Sequence, residues 1–374
     1  MAHVFALLLG AFLQPAPPAA TPAALDARWA TTFDAPPAAS PGFDDTTAFV
    51  PLKPVEATDD TVAKPGRLFA VDLDRGTIRW SLEASTTFTP AAGVGLVFTA
   101  GDEVIEARDA TTGKTKWRTP LPGGVAAPLY FDTGWLLAST PAGDLAALRA
   151  TDGVLVWRRQ LGAPLIATPG PAFDRLFLPL ADNRLVAVML LTGETVWERR
   201  LSTPISGLLA LDDQLIFGTA AKELYSVDVK RGRDRWTRRL GGDLAGIPAA
   251  DARHVYFASR DNLVFAVDRK SGNMRWKADV GSRPAGGPLT LTDSLLMPLV
   301  SSQIVGFDRV TGKTSVNATA AGEIGLQPHV RRDVRQTLPQ VITVSREGQL
   351  QGFGRRYEPV PQLLPELFGL PSTP

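Results

Sequence analysis

VFAVDRKSGNMRW, residues 264–276, compresses a strand, a turn and a large aromatic into thirteen positions. The apolar run at 264–267 reads as a strand. Asp268 opens a turn in which its carboxylate can accept hydrogen bonds from the backbone amides that follow. Gly272 closes that turn, supplying a positive φ that strains any other residue. Trp276 stands four residues beyond the glycine. One such stretch is a hairpin; the fold depends on whether it recurs.

It recurs along most of the chain. LFAVDLDRGTIRW ends at Trp80, VIEARDATTGKTKW at Trp117, LAALRATDGVLVW at Trp157, LVAVMLLTGETVW at Trp197 and LYSVDVKRGRDRW at Trp236. A last copy, IVGFDRVTGKTSV, has Val316 at the tryptophan position. The turn glycines Gly76, Gly113, Gly153, Gly193, Gly232, Gly272 and Gly312 are separated by 37, 40, 40, 39, 40 and 40 residues. Aspartate stands four residues before the glycine at Asp72, Asp109, Asp228, Asp268 and Asp308, and is replaced by Arg149 and Met189. Units this short cannot bury a core alone and must stack on their neighbours.

The unit from Trp157 to Trp197 shows what is stacked. PLIATPGPAF, RLFLPLA, LVAVML and TVWERRL read as four short strands separated by turns at Asp174, at DNR and at LTGE. Four antiparallel strands in about 40 residues make one propeller blade. Counting tryptophan intervals from Trp29 gives an all-β, eight-bladed β-propeller, with seven blades the nearest alternative. The last unit, near residues 339–356, lacks an outer strand. Arg28 to Phe33, with Trp29 in the tryptophan place, are expected to supply it, closing the ring and removing an exposed edge. The tryptophans are expected to staple adjacent blades, each indole N–H within reach of a backbone carbonyl. KPVEATDDTVAKPGR reads as a surface insertion between strands.

Three segments follow. Residues 1–24 are read as a signal peptide and Pro/Ala-rich processing region, because the ten-residue apolar run VFALLLGAFL is too short to span a bilayer but suits export. Residues 25–357 form one propeller. Residues 358–374 are a Pro/Leu-rich tail, expected either to pack back on the propeller or to act as a linear docking peptide. No later run is apolar and long enough for a membrane helix.

With 39 basic and 38 acidic side chains, the net charge of +1 does not point to nucleic acid. Cysteine is absent, which excludes disulfides, thiolate metal sites, cysteine nucleophiles and a cysteine-linked lipid anchor. The acidic doublets Asp44–Asp45 and Asp59–Asp60 read as solvated loop residues rather than calcium ligands. His3, His254 and His329 have no metal-ligand spacing. No G-x-S-x-G element and no phosphate-cradling loop is present. No catalytic, cofactor-binding or metal-binding residue is therefore expected.

Basic residues are more noticeable. Arg158 and Arg159, Arg199 and Arg200, and Arg238 and Arg239 fall within one residue of matching places on the outer strands of successive blades. Two readings are open: charges that keep edge strands from associating, or a basic rim that contacts an acidic partner or anionic lipid headgroups with marked salt dependence. Arg331, Arg332 and Arg335 form a further group.

The strand–Asp–x–x–(Thr/Arg/Ser)–Gly–x–x–x–Trp motif resembles the pyrroloquinoline-quinone (PQQ) type propeller repeat, over nearly all of residues 25–356. In size and unit count the chain is most similar to the BamB family, propeller subunits of the bacterial outer-membrane β-barrel assembly machinery. That resemblance implies a periplasmic or outer-membrane-peripheral, non-catalytic scaffold that grips a β-barrel insertase through its inter-blade loops. The chain departs from the family in lacking the acylated cysteine and in its short, bland connections, such as LGAPLIATPG and LSTPISGLLALDD. Quinoprotein dehydrogenases share the blade design but are longer, and they often carry a vicinal cysteine pair that is missing here, so PQQ is not expected as a cofactor. A ligand-binding or sensor propeller and a divergent quinoprotein are the alternatives.

Overall fold

A computed structural model describes residues 23–57, 62–84, 86–331 and 340–355. Among them are thirty-two β-strands and no helix. Six separate four-stranded antiparallel sheets and one eight-stranded sheet account for all the strands. The eight-stranded sheet is two blades joined through β1 (Ala23–Thr32), so the ring has eight blades. Blades 1 to 7 occupy residues 42–83, 91–120, 130–160, 170–200, 205–239, 244–279 and 289–319. Blade 8 consists of residues 329–331, 340–344, 349–355 and β1. Within a blade the strands are a to d from the axis outward.

β1 is the d strand of blade 8 in detail as well as in position. It runs antiparallel to the c strand Gln349–Arg355, from the Leu25–Arg355 pair to Thr32–Gln349. Each of the other blades has a bulge between its c and d strands at the residue before the tryptophan position, for example Arg79 before Trp80 and Val156 before Trp157. β1 repeats it, with Arg28 the extra residue before Trp29. Such a bulge sharpens the strand twist and turns the tryptophan toward the next blade. One feature goes beyond the expected closure. Ala23 and Ala24 also pair in parallel with Val316 and Asn317 of the blade 7 d strand, so β1 bridges the last two blades.

The core lies between blades. Eight clusters of buried apolar side chains fill the eight seams. At the closing seam, Trp29, Phe33, Val50, Val71, Ile342 and Leu350 pack together, so the ring is sealed as it is elsewhere. A seven-bladed ring has one seam too few for this packing.

Two details differ from the sequence-based expectation. PLIATPGPAF is not one strand: only Gly170–Ala172 is regular, with an isolated Leu165–Leu180 bridge before it. Pro164, Pro169 and Pro171 have no N–H to give a ladder. The insertion in blade 1 is anchored at its base, where Val55 and Lys64 exchange backbone hydrogen bonds of 2.8 Å in each direction. The apolar leader, His3, Asp59, Asp60, Arg332, Arg335 and the tail lie outside the described residues.

Strand alternation places the a–b and c–d turns on one face, the turn face. The b–c turns and the blade-to-blade connections occupy the opposite face. Backbone hydrogen bonds tie the two turns of a blade together, as from Leu73 N–H to Thr46 O and from Leu190 N–H to Asp174 O.

Candidate functional site

Each repeated aspartate folds its own turn. The Oδ1 atoms of Asp72, Asp109, Asp228, Asp268 and Asp308 accept the N–H groups two and three residues on. The Thr112 amide and hydroxyl hold the Asp109 carboxyl below its usual range. Where Arg149 and Met189 replace aspartate the turn persists, because Gly153 N–H and Gly193 N–H still reach the carbonyls of those residues at 2.8 Å.

The glycine and the tryptophan meet across the seam. Trp29, Trp80, Trp117, Trp157, Trp197, Trp236 and Trp276 donate their indole N–H at 2.8–3.1 Å to Leu73, Ala110, Ala150, Leu190, Val229, Arg269 and Arg309 of the following blade. Each indole ring also covers that blade's turn glycine. A methyl group on Gly76, Gly113, Gly153, Gly193, Gly232, Gly272 or Gly312 would stand 2.5–3.0 Å from the ring. Their φ values of +65° to +72° independently favour glycine.

Two residues after the tryptophan, the side chain faces the same seam. There Thr119 donates to Gly153 O at 2.8 Å, Arg199 to Gly232 O at 3.2 Å and Arg238 to Gly272 O at 2.6 Å. Arg159 reaches Thr192 O at 2.6 Å. Arg199 further pairs with Asp234 and lies over the Tyr225 ring at 5.2 Å. Arg158 is ion-paired with Asp144 of its own blade. Of the six outer-strand arginines, Arg200 and Arg239 alone are exposed without an ion pair among the described residues. Arg331 is likewise no surface cation: it is 7% exposed, donates to Asp45 O at 2.7 Å and pairs with Asp74.

The innermost strands crowd the axis. A methyl on Gly93 would stand 1.9 Å from the Phe131 ring, and one on Gly207 would stand 2.4 Å from Gly246 O. The axis opens on the turn face as a cleft of about 720 Å³. Phe43, Asp44, Asp45, Phe131, His329 and Arg331 line it. Phe43 and His329 stack with ring centroids 4.1 Å apart. Burial first, and the Arg331 charge second, push His329 down to about 4, so this imidazole is neutral near pH 7. Asp44 is occupied in its turn, accepting from the Thr46 and Thr47 amides. A second cleft of about 840 Å³ lies between blades 6 and 7, lined by Asp251, Arg253, His254, Lys270, Arg275 and Arg309. On the opposite face a groove of about 200 Å³ runs past Phe88, Asp102, Glu103, Leu121 and Val125.

Tyr256 O–H donates to Asp251 at 2.7 Å, and Asp251 also caps the Arg253 and His254 amides, so the carboxylate nearest a histidine is engaged in holding the chain. Among the described residues no group of three or more His, Asp or Glu could hold a metal ion. A tricarboxylate quinone at the axis would need free cations, whereas Arg331 is committed to blade 1. Among the described residues the donor set does not fit that cofactor.

Fold and seams define an eight-bladed β-propeller of PQQ-type repeats. Residues 64–277 and 181–351 match the family described as outer membrane protein assembly factor BamB, covering most of the chain. The chain belongs to the BamB family. BamB of Nitrosomonas eutropha is 30% identical over 148 residues, 37% of this chain and 36% of that relative's length. The crystal structure of BamB from Moraxella catarrhalis superposes with a TM-score of 0.67 at 17% identity, covering 88% of this chain and 99% of that one. Quinohemoprotein alcohol dehydrogenase from Comamonas testosteroni gives 0.70 at 11% identity, covering 88% of this chain and 76% of that one. At such identities these structural likenesses concern the fold alone.

Proposed function

We propose that this propeller is a non-catalytic scaffold of the bacterial cell envelope, making protein contacts in the assembly of outer membrane proteins. The observation that carries the reading is the family match across residues 64–351. The chemistry of the surfaces supports it: the repeated polar residues are engaged in turns and seams, and the axial cleft offers no set of donors suited to a quinone. Export to the periplasm and contact with a β-barrel insertase belong to the same proposal. Sequence similarity to the Nitrosomonas relative spans about a third of its length, so the partner is inferred from the family and not from shared loops.

Crosslinking of the full-length protein in intact envelopes, followed by partner identification, tests the reading. Recovery of a β-barrel assembly subunit is the expected result. Recovery of none, with calcium-dependent quinone absorbance in the purified protein, would replace the scaffold with a quinoprotein.

A further inference from the structure

The turn face is unevenly charged. On blades 5 to 7 the turn cations Lys230, Arg231, Arg233, Arg253, Lys270 and Lys313 are exposed and make no ion pair among the described residues. Several of the neighbouring acids are already paired, while Asp212, Asp228 and Asp308 make no ion pair among the described residues and leave the cations in the majority. Asp213 holds both Arg235 and Arg269, Asp268 holds Arg275, and Asp251 faces Arg309 at 3.6 Å. A chain of net charge +1 thus gathers a positive surplus in one sector of one face.

Protruding apolar side chains lie in and beside that sector, two on blade 4 and one on blade 7. Phe173, Leu191 and Val310 sit at turn tips and are 75%, 63% and 75% exposed, three of the four most exposed large apolar residues described. Phe173 holds φ at +55°, a strained setting for a bulky residue that turns its ring outward. The tips are laced into one surface. Arg175 of blade 4 donates to Val229 O and Lys230 O at 3.1 Å, Arg269 of blade 6 pairs with Asp213 of blade 5, and Arg309 of blade 7 faces Asp251 of blade 6.

We propose that the turn face of blades 4 to 7 is a peripheral docking surface for an anionic phospholipid membrane. Phe173, Leu191 and Val310 enter the headgroup layer while the unpaired cations meet lipid phosphates. The cleft between blades 6 and 7, with Arg253, Lys270 and Arg309 on its walls, has room for a headgroup. A fluid lipid surface suits the pattern better than a protein does. The apolar tips stand singly and the free cations are long and spread over three blades, whereas a protein hot spot needs a packed, contiguous centre. The proposal does not depend on which protein the propeller contacts.

The test is co-sedimentation of the full chain with phosphatidylcholine vesicles, with and without phosphatidylglycerol. Binding is expected to the anionic vesicles only, to weaken steeply with salt, and to fall about fivefold for each cation removed. Arg231→Glu, Arg253→Glu and Lys270→Glu together are expected to abolish it, whereas Arg200→Glu with Arg239→Glu, on the outer strands, leaves it unchanged. Because the chain has no cysteine, Phe173→Cys and Val310→Cys each give a unique dye site that does not rely on the charge variants folding. Dye emission is expected to shift to the blue on anionic vesicles at both sites, but not at Ile166→Cys in the connection between blades 3 and 4. No binding, or an equal shift at Ile166→Cys, overturns the proposal. So does a failure to bind vesicles while the triple reversal releases an envelope protein, which would make this face a protein interface.

Discussion

Trp29 and Gly76 touch across the closing seam: a methyl group on Gly76 would lie 2.5 Å from the indole. The same indole donates to Leu73 O at 2.8 Å, and the Thr31 hydroxyl donates to Gly76 O. The indole bond recurs with the same offset at each of the other repeat tryptophans, and the bond to the glycine carbonyl recurs from Thr119, Arg199 and Arg238, so closure uses the ordinary seam rather than a special clasp. Edge removal, core continuity and twist are all served by one strand.

The glycine's two roles separate experimentally. Gly95 and Gly153 have φ of +74° and +72°, but a methyl on Gly95 meets nothing within 4 Å while one on Gly153 meets Trp117 at 2.5 Å. Gly95→Ala is expected to cost about 1 kcal/mol, the left-handed penalty alone. Gly153→Ala adds a further ~1–3 kcal/mol of overpacking. Urea unfolding of both variants measures the difference; equal costs would mean that the indole contact contributes nothing.

Val316 explains the one missing tryptophan. Among the described residues blade 8 has no c–d turn, because its d strand is β1, and so neither a turn glycine nor a turn carbonyl to receive an indole. Val316 instead is 1% exposed, opposite Gly306 and in register with Ala23. Val316→Trp is expected to destabilise by about 1–3 kcal/mol, although it restores the repeat consensus. Trp157→Ala, where the seam is complete, should cost about 3–5 kcal/mol. A stabilising Val316→Trp would refute this explanation.

The outer arginines divide by period two. Arg199 faces the seam, bonded to Gly232 O and Asp234, whereas the adjacent Arg200 is exposed. Arg199→Ala is expected to lose about 1 kcal/mol, and Arg200→Ala to stay within about 0.5 kcal/mol. Thermal unfolding of the pair decides it; equal losses would contradict the seam assignment.

His329 makes stability depend on pH. Burial and Arg331 hold its folded value at about 4, against an ordinary 6.5. As pH falls the unfolded chain takes up this proton first, so the contribution is intact above about pH 6.5 and is lost progressively down to about pH 4. The stability of the wild type relative to His329→Phe should fall by up to about 3 kcal/mol across that window and be flat above it. Chemical denaturation at stepped pH measures it. A flat difference would place His329 in water.

The blade count and the closing strand were legible because aspartate, glycine and tryptophan each meet a separate local demand, and the glycine spacing survives in seven units even where Arg149, Met189 and Val316 replace the other two residues. Less visible was the parallel pairing of Ala23 with Val316, which is two residues long and leaves no pattern. The first strand of blade 4 is shorter than its sequence suggests because an apolar run hides the missing N–H groups of its prolines. The arginines show their charge in the sequence, but where a guanidinium ends depends on the next blade. Their alternation with tryptophan was the available signal: a residue two beyond Trp shares its face. The exposed turn-face cations carry no motif at all, since their neighbours come from different blades.

Closure by β1 is the claim on which the count, the seams and the single turn face all depend, and a cysteine-free chain allows it to be trapped. Thr32 and Gln349 are register partners, with Gln349 Nε2 and Thr32 Oγ1 3.4 Å apart. The direct measurement is oxidation of a Thr32→Cys/Gln349→Cys variant beside the off-register Ala30→Cys/Gln349→Cys variant, read as intramolecular disulfide yield in the folded monomer. Efficient crosslinking of the first pair, little of the second, and a raised melting temperature are predicted. Equal yields from the two pairs, or none from the first, would contradict the closed ring.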